Sequence, residues 1–272
     1  MMTPQQRYLF DVTGYLHLPN ALSPDELERG RRATQRYLDT PPDQLPPGFA
    51  IDGKRHLHGF AFDKALEALV FHPSTWPIVK ELTNDKPRFV SGTLQVDRPG
   101  EVPAGRLHCA REDLGWQSVN HQCRDGRVHC DNFAVFPYFD DVGPGEGGLG
   151  CIPGSHKTLI ECPDELFNGG IVTDPPPPGT VRIEPKAGDI VVISEGLVHS
   201  TLQWKPTDRI RRILVLRYAT QYTGYTRGPE PAIAERLAPQ TLELMAPAGI
   251  THSKEIAQCD LVTLSNREGS QP

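Results

Sequence analysis

Long apolar runs are missing from this 272-residue chain: no stretch approaches the roughly 18 consecutive apolar residues that a membrane-spanning helix needs. The N-terminus, MMTPQQRYLFDVTGYLHLP, also lacks the basic-then-apolar layout of a secretory signal, so a cytoplasmic protein is expected. An excess of basic charge is missing too. Lys and Arg total 28 against 34 Asp and Glu, and the resulting net charge of −6 disfavours a broad grip on nucleic acid or an anionic membrane. A small anionic substrate held by a few local cations stays compatible with it. Cysteines are few and irregular: six, at positions 109, 123, 130, 151, 162 and 259, with no C-x-x-C pair. That spacing fits reduced, incidental thiols better than a disulfide framework or a zinc site.

What is present changes texture along the chain. The first part, about 1–87, reads as helical with loops. Ser23-Pro24-Asp25-Glu26 offers a capping Ser, a first-turn Pro and a Glu three residues after the cap, which predicts a helix over 24–38. A second helix is expected over 63–83, interrupted at HPSTWP. From residue 88 short β-branched and aromatic runs follow one another: RFVSGTLQVD, DNFAVFPYFDD, GTVRIEP, GDIVVIS and RRILVLRYAT. Strands at this density without intervening helical patterns predict a β sandwich or barrel over about 88–220. VGPGEGGLG (142–150) and DPPPPG (174–179) read as turns or lids. A helix over 230–245 closes a C-terminal extension of about 221–272. One domain is expected from this length.

Of ten histidines, two draw notice: His108 in RLHCARED, and His199 in GDIVVISEGLVHSTLQW, just beyond a buried strand. Three motifs in fixed order carry a resemblance: GGLGCIPGSHK (147–157), AGDIVVISEGLVHSTLQW (187–204) and TDRIRRILVLRYA (207–219), preceded by QRYLFDVTGYLHLPNALSPDEL. Together they resemble the phytanoyl-CoA dioxygenase family of Fe(II)/2-oxoglutarate oxygenases. The resemblance implies a mainly β fold with flanking helices around a double-stranded β-helix, a jelly-roll or cupin-like core. It also implies that iron(II), 2-oxoglutarate and O2 are cofactors, that His199 is the distal metal ligand, and that Arg211 grips the far carboxylate of 2-oxoglutarate. Phe136, and Asn132 on the same strand face, fall where the family meets 2-oxoglutarate. Thr201, two residues after His199, is a further candidate for that contact or a plain strand Thr.

The family's metal strand carries H-x-D, because residues i and i+2 of an extended chain point to one side and can reach one ion together. Two candidates compete. His129-Cys130-Asp131 spells the motif; His108-Cys109-Ala110 spells H-x-A. His108 lies 48 residues before the GSH histidine, close to the family interval, and His129 only 27. In the strand after Asp131, alternation puts Asn132, Ala134, Phe136 and Tyr138 on one face and Asp131 with Phe133 on the other. His108 is therefore preferred, and Ala110 then stands where the carboxylate should be. Such a site resembles that of the halogenases of this chemistry, in which Ala or Gly replaces Asp and chloride binds the metal. The implied reaction puts chlorine on an unactivated carbon. A hydroxylase completed by Asp131 and a non-catalytic jelly-roll binder are the alternatives.

The remaining candidates concern the substrate. Arg217 shares the alternation phase of Arg211 and reads either as an interior contact for an anion or as a salt-bridge partner, while Arg212, on the opposite phase, reads as solvated. Lys54 and Arg55 sit in KRHLH, a basic segment before the core that reads as a substrate cover or an exposed loop. Trp116 and Trp204 are pocket-wall candidates because such walls use aromatics. His156 reads as structural. A net charge of −6 disfavours docking an acidic carrier protein, so a free small molecule is expected. Among carrier-free examples the chain looks most like the halogenase acting on the sugar of a deoxyadenosine nucleotide in antibiotic biosynthesis.

Overall fold

The computed structural model describes residues 1–101, 106–110, 120–158, 160, 163, 175–223 and 228–247. Two capping boxes start its N-terminal helices. Thr3 and Gln6 exchange side-chain and backbone hydrogen bonds to open α1 (Pro4–Thr13), and Ser23 and Glu26 do the same for α2 (Pro24–Asp39). The helix expected over 63–83 breaks within HPSTWP as expected, between a short α3 (Lys64–Glu67) with its 3-10 turn (Ala68–Phe71) and α4 (Trp76–Leu82). Likewise the helix expected over 230–245 is two short ones, Pro231–Ala234 and Pro239–Met245. Pro239 accounts for the break: its ring disfavours the helical region for Ala238, which is extended at ψ 151.

Twelve strands are named among the described residues: β1 (Tyr15–Leu18), β2 (Ile51–Asp52), β3 (Arg55–His56), β4 (Pro87–Asp97), β5 (His121–Arg124), β6 (Arg127–Cys130), β7 (Asn132–Pro137), β8 (Gly148–Cys151), β9 (Val181–Ile183), β10 (Ile190–Ser194), β11 (His199–Leu202) and β12 (Arg211–Thr220). Seven form one antiparallel sheet in the order β1-β10-β7-β12-β4-β3-β2; a smaller sheet has the order β11-β8-β9; β5 and β6 make a hairpin. This is the mainly β, jelly-roll-type architecture with flanking helices. The glycine-rich stretch 142–150 is not only a turn, since Gly148–Gly150 already belong to β8.

Period-two alternation decides what each strand face buries. Phe133, Val135, Leu214, Leu216 and Tyr218 point from β7 and β12 into a core shared with the helices, including Phe10, Tyr37 and Leu66. Ala134, Phe136, Tyr138, Ile213 and Val215 point the other way and meet Leu149, Cys151 and Ile183 of the small sheet. The helix-side core thus stiffens the large sheet from behind.

Arg212 corrects the expectation of a solvated side chain. It lies on the helix-side face and holds Asp140 through Nε (2.9 Å) and Nη2 (2.8 Å), while Nη1 donates to the Arg31 carbonyl of α2. Its side chain is only 11% exposed, because α2 packs over it.

Candidate metal centre

His108 and His199 are brought together by backbone pairing. They form an isolated antiparallel bridge in which each amide donates to the other's carbonyl at 2.9 Å, and their ring centroids stand 4.6 Å apart. The Nδ1 of His108 lies 3.0 Å from the Arg106 carbonyl, and that of His199 lies 2.7 Å from the Leu197 carbonyl. A carbonyl only accepts, so each Nδ1 carries the proton and each Nε2 keeps its lone pair. That arrangement orients metal-ligating imidazoles. Burial pushes the His199 ring below its usual pKa, with Glu195 opposing and His108 reinforcing, and the ring therefore stays neutral. Two imidazoles oriented in this way fit iron(II).

Ala110, two residues on from His108, is buried, and its amide donates to the Glu195 carbonyl at 2.7 Å. Among the described residues no carboxylate or thiol joins His108 and His199 to make a compact three-ligand group. Asp131 is engaged elsewhere: its two carboxylate oxygens accept from the amide and side chain of Asn120 at 2.8 and 2.9 Å, at the end of the β5–β6 hairpin. The literal H-x-D at 129–131 is thus a hairpin lock. Its period-two phase, opposite to Phe136, is the reason.

Arg211 is fully buried at the start of β12. Its Nε donates to Asp97 Oδ2 at 2.9 Å and its Nη2 donates to the same oxygen, while Lys54 Nζ donates to Asp97 Oδ1 at 2.9 Å. Burial alone would raise the Asp97 carboxyl, but Arg211 and Lys54 outweigh it and hold it below the usual carboxylate range. Arg211 Nη1, by contrast, is buried without an acceptor. So is the Tyr138 hydroxyl, pushed up to about 12 by burial and therefore a proton donor. On the facing sheet Thr201 Oγ1 accepts from Gln95 Nε2 at 3.1 Å. Two unsatisfied buried donors between the sheets are the chemistry a carboxylate requires, and 2-oxoglutarate fits them. Phe136 lies on the same inner face, as Trp204 does beneath the Arg211 guanidinium at 5.8 Å.

Asn132 begins β7 and its carbonyl accepts from Glu195, which places it at the His199 end of the sheet. Arg217 lies across β12 at that end and donates through Nε to Glu195 Oε1 at 3.2 Å. Of the basic segment before the core, Lys54 is bound to Asp97, and Arg55 sits on an exposed hairpin paired with Asp52. Trp116 lies outside the described residues. His156 is buried as a structural residue, Nε2 facing the Asp11 carbonyl at 3.1 Å. Sequence reasoning missed Asp97, Gln95, Tyr138 and Glu195. Alternation with Phe136 already puts Tyr138 on the inner face, whereas Asp97 emerges only from its register opposite Arg211.

No curated protein sequence matches the chain. Solved structures do share its fold. HygX from Streptomyces hygroscopicus, with nickel and 2-oxoglutarate bound, is 23% identical with a TM-score of 0.67, over 82% of this chain and 88% of that one. The non-heme alpha ketoglutarate dependent carbocyclase SnoK from nogalamycin biosynthesis is 21% identical with a TM-score of 0.61, over 88% and 92%. The epimerase SnoN from the same biosynthesis is 16% identical with a TM-score of 0.57, over 80% and 82%. The phytanoyl-CoA dioxygenase family model matches residues 10–213. With three quarters of its length matched in this way, the chain belongs to the phytanoyl-CoA dioxygenase family of iron- and 2-oxoglutarate-dependent enzymes.

Proposed function

We propose that this chain is an Fe(II)/2-oxoglutarate-dependent halogenase that puts chlorine on an unactivated sp3 carbon of a free small molecule. The observation that carries the reading is Ala110: a buried methyl two residues from His108, with no third protein ligand beside the two imidazoles among the described residues. Chloride at that position restores the negative charge that a carboxylate would supply. Bound here, iron with 2-oxoglutarate and O2 supplies the oxidising power that removes hydrogen from carbon. The chain's own residues do the rest. His108 and His199 present Nε2, Arg211 and Tyr138 bind the cosubstrate's carboxylate, and the buried faces of Phe136 and Trp204 keep water away.

Arg217 supports an anionic substrate. Its side chain is 43% exposed, and among the described residues only its Nε is engaged, which leaves two nitrogens for a phosphate. A deoxyadenosine nucleotide chlorinated on its sugar is the substrate we favour, in a natural-product setting like that named for SnoK and SnoN. The test is product mass from candidate nucleotides incubated with Fe(II), 2-oxoglutarate and O2, with and without chloride. A chlorinated product formed only with chloride is expected. Hydroxylation indifferent to chloride overturns the reading.

One observation favours a hydroxylase instead. Glu195 is a buried carboxylate four residues before His199, close enough to raise that ring's proton affinity. Were it to reach the metal, Glu195→Gln would lose iron and Ala110→Asp would be nearly neutral. We expect the opposite order of effects.

A further inference from the structure

The β5–β6 hairpin packs against α1, and between them three side chains of metal-ligating type converge away from the His108–His199 centre. His121 and Cys123 occupy positions i and i+2 of β5 and so share a strand face. Asp11, in the last turn of α1, meets both: His121 Nε2 is 3.0 Å and Cys123 Sγ 2.9 Å from Asp11 Oδ1. All three donor atoms lie within 4.8 Å of one another. We propose that Asp11, His121 and Cys123 form a second metal site, specific for zinc or a similar borderline divalent cation, that fastens the hairpin to α1.

The dimensions suit such an ion. Zn–N and Zn–O bonds of about 2.0 Å and a Zn–S bond of about 2.3 Å, set tetrahedrally, put neighbouring donors about 3.3–3.5 Å apart. The edges from Asp11 to His121 and to Cys123, 3.0 and 2.9 Å, need to open by about 0.3 and 0.6 Å to reach that geometry. The His121 ring is held for the task, its side chain 2% exposed, stacked on Phe10 and edge-on to His156. Cys123 by contrast is exposed and borders a groove of about 340 Å³, which gives water a route to the fourth position. A mixed N, S and O donor set selects zinc over calcium or magnesium, which take oxygen ligands.

Lys157 is the competitor. Its Nζ lies 2.6 Å from the same Asp11 Oδ1, so among the described residues that one oxygen takes all three contacts. The ammonium supplies the positive charge that a bound metal would bring, and its side chain, 41% exposed, is free to swing into solvent. Zinc displaces it together with the Cys123 thiol proton, which leaves to solvent. Lys157→Ala should therefore bind zinc more tightly than the wild type.

Cobalt(II) titration of the full chain tests the site, because thiolate-to-cobalt charge transfer absorbs where imidazole–cobalt sites do not. The His108→Ala/His199→Ala variant, which removes the first centre, is expected to keep one such band and to gain thermal stability with zinc. Cys123→Ser and Asp11→Asn are expected to lose both. Absence of a thiolate band in the double variant overturns the proposal. So does its persistence in Cys123→Ser, which would move the ligand to another thiol such as Cys109.

Discussion

At the scale of single residues the halogenase reading reduces to a methyl group. Ala110→Asp would put a carboxylate where the halide belongs, and we expect chlorination to fall below detection while iron binding strengthens; product mass and iron titration read the two separately. Arg217→Ala should raise KM for a phosphorylated substrate by about tenfold with little change in kcat, the loss of roughly one charge-assisted hydrogen bond. A different outcome is expected for Asp97→Ala. It strips Arg211 and Lys54 of their shared buried counter-ion, and removing one partner of a buried pair costs about 3–5 kcal/mol, so the urea midpoint should fall sharply. These residues were unequally legible. His199 and Arg211 stand in ordered motifs, whereas His108 and Ala110 are preferred only by spacing and strand phase over the literal H-x-D at 129–131. Asp97 does not, because its role depends on register: it lies opposite Arg211 in the β4–β12 pairing, which no local pattern announces. Glu195 reads as a loop acid until the chain folds its carboxylate against Arg217.

Elements were legible where apolar alternation or capping chemistry is strong. β12 spans Arg211–Thr220 as its run of branched residues predicts, and Ser23 starts α2 as expected. β8 escaped because glycines carry no alternation signal, yet Gly148 and the Gly147 just before the strand are both required. A Cβ at Gly147 would stand 2.0 Å from the Gln203 carbonyl oxygen, and one at Gly148, where φ is +92, would stand 2.7 Å from Arg211 Nη1. Gly148→Ala is therefore expected to push the guanidinium aside and raise KM for 2-oxoglutarate severalfold at nearly constant kcat, read by succinate formation. The β5–β6 hairpin escaped for the opposite reason, being short and largely polar, with its strand faces settled by docking on α1. Arg212 ties β12 to Asp140, just past β7, and to the Arg31 carbonyl of α2, and Arg212→Ala should cost about 2 kcal/mol, less than a fully buried pair because both side chains keep some solvent contact. Chemical denaturation of the variant measures it.

Across the whole molecule, no helix among the described residues is long and apolar enough to cross a membrane. Acid response is a property at this scale. Burial lowers the pKa of His72, against the pull of Glu26, and that of His56, with Arg98 adding to it. The folded state thus favours the neutral rings, so their stabilising share is complete above the unfolded value of about 6.5 and is lost as pH falls through the lower folded values. The urea midpoint should drop between pH 7.5 and 5.5, and His72→Gln should flatten that slope. The change of texture at residue 88 was legible at this scale, whereas β1 was not, since four residues gain their meaning only from a distant partner. Tyr15 pairs with Ile193, on the far side of the sequence. At about 5–20 residues per second a ribosome needs roughly ten to forty seconds to deliver that partner. Arrested nascent chains ending before β10 should leave Tyr15–Leu18 open to proteolysis, and release of the finished polypeptide should close it.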